Sequence, residues 1–111
     1  MITIEALNNY GANTREGLTR CMNNEEFYIM LVKKALADRR LDQLENQIAD
    51  NDLEAAFETA HALKGMYANL SLDPLTKPVS EITEMLRNKT DADYSQLLTE
   101  AKKQFTALTS L

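Results

Sequence analysis

Leu53-Glu54-Ala55-Ala56-Phe57-Glu58-Thr59-Ala60-His61-Ala62-Leu63-Lys64-Gly65-Met66-Tyr67-Ala68-Asn69-Leu70 is the stretch that decides the fold. Leu53, Ala56, Phe57, Ala60, Leu63 and Tyr67 recur at intervals of three or four residues. That spacing lines one face of an α-helix, because a helix returns to the same side about every 3.6 residues. The other positions are polar or small, so the segment is expected to bury one stripe against neighbours and leave the rest uncovered.

The same period continues on both sides. Upstream, Phe27, Met30, Leu31, Ala37, Leu41, Leu44 and Ile48 predict one long helix from Asn24 to about Asp50. Downstream, Val79, Ile82, Met85 and Leu86 form the next stripe, and Tyr94, Leu97, Leu98, Ala101, Phe105 and Leu108 form the clearest one. The first twenty residues read as one or two short helices broken near Gly11. Asn13 with Glu16, Asn23 with Glu26 and Asn51 with Glu54 look like capping boxes, in which the Asn oxygen accepts from a free N–H at the helix start. Asp73 is the expected N-cap of the third long helix, with Pro74 at its first position. Pro78 should kink that helix or push its start later. Asn88-Lys89-Thr90-Asp91 is read as the last break.

No segment alternates with period two long enough to be a strand. The fold class is therefore all-α. Four long amphipathic helices with short connections predict an up-down antiparallel four-helix bundle, with one or two short N-terminal helices added. At 111 residues the chain is expected to form a single domain over 1–111.

Composition excludes several function classes. The net charge is −5, so the chain has no general attraction for a phosphate backbone, and no nucleic-acid partner is expected. The pairs Lys33-Lys34, Arg39-Arg40 and Lys102-Lys103 read as solvated helix faces. One Cys and one His, forty residues apart, cannot build a zinc site of the usual kind in one chain. Cys21 is expected to be a reduced core residue in a cytoplasmic protein. No apolar run is long enough to span a membrane, and no basic, apolar leader precedes the first helix. The Met start is that of a freestanding protein or of an excised domain.

His61 is the one polar residue that needs a reason. Taking Ala60 as the centre of the buried stripe, His61 lies about 100° round the helix, on the shoulder between core and solvent. Gly65 and Ala68 follow on its side one and two turns later. Gly65 costs ~1 kcal/mol relative to Ala inside a helix, so its presence asks for a packing or steric cause. Beside an exposed imidazole, the missing side chain lets another macromolecule approach, and Ala62 and Ala68 keep the surroundings low. Lys64, three residues on, can swing its ammonium outward on a long stem and reach an anion held at the ring. Taken singly, each has a plain structural reading: a boundary histidine, a solvated lysine, a glycine for helix packing.

Ala60-His61-Ala62-Leu63-Lys64-Gly65, followed by Ala68-Asn69-Leu70, closely resembles the histidine-containing phosphotransfer (HPt) domain of bacterial multistep phosphorelays. The family pattern reads roughly A-H-x-L-K-G-x-x-x-N-[LI]-G, and the resemblance covers nearly the whole chain. Ser71 stands where the family often has glycine. The resemblance implies that His61 accepts and donates a phosphoryl group, through Nε2, from and to an aspartate of a response-regulator receiver domain. It implies that Lys64 stabilises the phosphoryl charge, and that Gly65, Ala68, Ala62 and Glu58 dock the partner. Glu58, at i−3, is also the candidate to hold the ring through Nδ1–H. No cofactor is expected on this chain, and Mg²⁺ is expected from the receiver.

Expected partners are a receiver domain, a hybrid sensor histidine kinase, or both, with the chain itself a monomer. No Gly-rich nucleotide loop exists, so kinase activity from ATP is not expected. The alternative is a non-catalytic helical adaptor that binds a receiver or kinase domain without phosphoryl transfer. An enzyme using His61 as nucleophile or base is disfavoured, because no second titratable group beyond Glu58 accompanies the ring.

Overall fold

The computed structural model describes residues 2–88 and 92–111. Among the described residues seven helices follow one another: α1 (Ile4–Tyr10), α2 (Thr14–Arg20), α3 (Glu25–Ala37), α4 (Arg40–Ala49), α5 (Leu53–Asn69), α6 (Asp73–Arg87) and α7 (Ser95–Thr109). No strand occurs among the described residues. α5 packs most extensively on α6, and also lies against α4; α6 packs on α7, and α3 reaches α7 to close the bundle. The expected four-helix bundle is therefore present, with α1 and α2 as the short N-terminal additions.

The first arm of the bundle departs from the expectation of one long helix. It breaks between Ala37 and Arg40, where Asp38 adopts an extended backbone. The Asp38 carboxylate accepts from the Arg40 backbone N–H at 2.9 Å and from its guanidinium at 2.7–3.0 Å. Such a local side-chain bond competes with the helical ladder. The hydrogen bond from Arg40 also holds the Asp38 carboxyl below its ordinary range. The break rotates α3 relative to the predicted stripe. Tyr28, Val32 and Ala35 are its buried residues, whereas Phe27 and Met30, expected in the core, are 44% and 48% exposed.

Two predicted caps move by one residue. Asn24, not Asn23, caps α3, its Oδ1 accepting from Phe27 N at 3.1 Å. Asp52, not Asn51, caps α5, accepting from Ala55 N at 3.3 Å. Asn23 and Asn51 instead hold φ of +58°, a left-handed conformation that asparagine tolerates better than most residues. Asn13 caps α2 as expected, its Oδ1 accepting from Glu16 N at 3.2 Å, but the box does not close: Asn13 Nδ2 donates to the Glu16 carboxylate at 3.1 Å, while the Asn13 backbone N–H donates to the Ser71 carbonyl at 2.9 Å. α6 starts earlier than predicted: Leu72 is its N-cap, Asp73 its first residue and Pro74 its second. Pro78 sits inside that helix, buried, and does not delay its start. Of the expected break after α6, Asn88 is the C-cap, and 89–91 lie outside the described residues.

The far end of α5 is tied down from α2 and α3. Arg20 donates to the Ala68 and Asn69 carbonyls at 3.2 and 3.3 Å and to Ser71 Oγ at 2.7 Å. A guanidinium there suits the negative end of the helix dipole. Tyr28 Oη, fully buried, donates to the Leu70 carbonyl at 2.7 Å, and burial pushes its hydroxyl up to about 12. Ser71 has φ of +56°, the left-handed region that favours glycine. Its side chain stands in for that freedom by accepting from Arg20.

Cys21 is buried and free, as expected. Gly17 packs directly beneath the Tyr28 ring, where an added Cβ would lie 2.6 Å from Cε1. Gly17→Ala is therefore expected to lower stability by roughly 1–3 kcal/mol, read as a fall in the urea midpoint; an unchanged midpoint would contradict this packing.

Candidate functional site

α5 is buried along Ala56, Ala60, Leu63 and Tyr67, each 0% exposed. That single stripe orients the whole helix. His61 then faces outward, and Glu58, Ala62, Gly65 and Ala68 are exposed with it. Lys64 is half-buried, on the flank toward α6. The structure thus brings together on one surface every residue that the sequence singled out.

The imidazole does not rest on Glu58. Among the described residues no hydrogen bond joins the two. Instead the His61 ring stacks on Phe57 one turn earlier, with centroids 5.8 Å apart and planes 16° from parallel. Stacking of this kind is worth about 0.5–1.5 kcal/mol beyond buried area. It fixes the plane of the ring while leaving the residue exposed. Phe57 is itself covered on the α6 side by Arg87, whose guanidinium carbon lies 5.2 Å from the ring centroid. Arg87 Nε pairs with Glu84 at 3.4 Å, and the same carboxylate meets Lys64 Nζ at 3.7 Å.

Three of these residues escaped the sequence reading. Phe57, expected in the core stripe, packs against the core but is only partly buried, and its ring also supports the histidine. Its i, i+4 spacing to His61 was the available signal. Glu84 and Arg87 come from α6, and only the packing of α5 on α6 brings them to the site. They carried no local signal pointing to His61.

Gly65 has nothing within 4 Å of the position a Cβ would take. The helix-packing explanation for this glycine therefore fails, in contrast to Gly17. A residue that weakens its own helix and serves no neighbour in the molecule leaves open surface beside His61. Below the ring, Leu53, Glu54, Phe57, Glu58, Leu86 and Arg87 line an open groove between α5 and α6.

Among the described residues no cluster of His, Cys, Asp and Glu could hold a metal ion. No helix among them is long and apolar enough to cross a membrane. A family model described as Hpt domain matches residues 34–110, more than half of the chain. No curated protein matches, and no solved structure does.

The open surroundings of Gly65 carry a direct thermodynamic consequence. Gly65→Ala should raise the unfolding free energy by roughly 0.5–1 kcal/mol, measured by urea denaturation. A destabilised variant would mean that the glycine is needed for packing after all.

Proposed function

This chain belongs to the Hpt domain family of phosphorelay carriers, and on that premise we propose that His61 is its phosphoryl acceptor and donor. The observation that carries the assignment is the exposed imidazole, held in one plane by Phe57 and flanked by the bare surface at Gly65. His61 is also the one histidine in the sequence.

In the transfer, the lone pair on His61 Nε2 attacks the phosphorus of an aspartyl phosphate on a receiver domain. The N–P bond forms as the P–O bond to the aspartate breaks, and the carboxylate leaves with the bonding pair. Nδ1 keeps its proton, so the ring becomes cationic and no proton has to depart. Donation runs the same path in reverse. Phosphoryl transfer of this sort needs alignment and charge neutralisation more than bond-making groups. The chain's contribution is therefore geometric and electrostatic: Phe57 sets the ring plane, and Lys64 offers a cation to the phosphoryl oxygens. Mg²⁺ would enter with the receiver and supply further charge neutralisation there.

Ala62, Gly65 and Ala68 let the receiver's active-site rim approach the ring, and Glu58 lies at the edge of that contact. A hybrid sensor kinase can present the same receiver module, so one surface serves both partners. The protein then carries phosphoryl groups made elsewhere and is not itself a kinase.

Receiver domains charged with labelled acetyl phosphate provide the test. Wild-type protein should gain acid-labile label from at least one of them, and His61→Gln should gain none. Label that survives the substitution would remove His61 from the role, and binding without any label would leave an adaptor. A bulky replacement, Gly65→Leu, should raise the KM for the charged receiver at least several-fold while the protein stays folded; unchanged kinetics would refute the steric role of the bare surface.

A further inference from the structure

Two cations beside His61 share one carboxylate. Lys64 lies 3.7 Å and Arg87 3.4 Å from opposite oxygens of Glu84, and among the described residues neither cation pairs with any other carboxylate. Glu84 is half-exposed, with 52% of its side chain accessible. Both contacts are long for charged hydrogen bonds, which close to about 2.7–2.9 Å when tight. They are loose ion pairs that a stronger anion can displace. Arg87 is separately anchored over Phe57. Among the described residues Lys64 makes no second ion pair or hydrogen bond, and its flexible stem lets the ammonium move.

The charge balance at this point changes sharply with modification. Lys64, Arg87 and Glu84 together carry a formal charge of about +1. A phosphoryl group brings close to two negative charges and three acceptor oxygens. Once it is on the ring, the Glu84 carboxylate becomes a like charge competing for the same ammonium.

We propose that Glu84 is the internal counter-ion of this site. Its carboxylate holds Lys64 on the α6 side while His61 is unmodified, and it competes for Lys64 with the phosphoryl group once the ring carries one. The competition raises the free energy of phosphorylated His61 and makes it a better donor. Glu84 is thus a positioning residue, acting through Lys64 and not on the reacting atoms. The inference rests on His61 being the phosphoryl carrier.

The test uses a receiver domain that exchanges label with the wild-type chain and measures the equilibrium ratio of phosphorylated His61 to phosphorylated receiver. Glu84→Gln keeps the shape of the side chain and removes its charge. An exposed ion pair is worth roughly 0.2–1 kcal/mol, so the ratio should shift toward His61 by about 1.4- to fivefold. The shift should fall below half that size, on a logarithmic scale, when measured in a Lys64→Ala background. The KM for the receiver should stay unchanged, and the urea midpoint should fall only slightly, as the loss of exposed ion pairs allows; a merely structural role would not tie the shifted ratio to Lys64.

No shift, a shift toward the receiver, or an equal shift without Lys64 would each overturn the counter-ion role. If the wild-type chain accepts no label from any receiver, the carrier assignment fails first and the inference with it. Wild-type exchange with an unmoved Glu84→Gln ratio overturns the inference alone.

Discussion

Burial of one stripe of α5, Ala56-Ala60-Leu63-Tyr67, is the constraint on which the rest of the molecule depends. A helix rotates as a rigid body, so seating that stripe against its neighbours decides where every other α5 side chain points. His61 reaches the surface because Ala60 cannot. Arg20 and Tyr28 hold the end of the same helix through the Ala68, Asn69 and Leu70 carbonyls. α2 and α3 thus serve the site from a distance: they keep α5 in place without covering its open side.

The two helical glycines show how differently one residue type can be used. At Gly17 the missing side chain is filled by the Tyr28 ring, and at Gly65 it is filled by nothing in the molecule. The first belongs to the packing that fixes α5. The second costs helix stability with no internal return. The result is a bare patch beside an exposed imidazole. Lys64, one turn from His61 on α5, pairs loosely with Glu84 on the α6 flank.

Much of this was legible in the sequence, because helical period and the His61-to-Gly65 spacing are local features. The bundle, the outward histidine and the small residues around it all follow from residues within two turns of one another. The break at Asp38 was not legible, since the apolar spacing from Leu31 to Leu41 runs across it without interruption. The extended backbone of Asp38 and the bond that the Arg40 N–H donates to its carboxylate reveal it. The caps at Asn24 and Asp52 were misplaced by one residue because two capping-type residues stand side by side, and backbone conformation chooses between them. The support from Phe57, Glu84 and Arg87 was hidden for a further reason: it depends on how α5 and α6 meet, and no window of sequence contains both.

The central claim is that the ring of His61 forms and breaks a bond to phosphorus at Nε2. Long-range proton–nitrogen correlation spectra of ¹⁵N-labelled protein, taken after exposure to a charged receiver domain, report the state of both ring nitrogens. The account predicts phosphorus coupling and a changed shift at Nε2 of this single imidazole, with Nδ1 still protonated. Phosphorus on Nδ1, on a different side chain, or on no residue while the receiver loses its label only to water would contradict it.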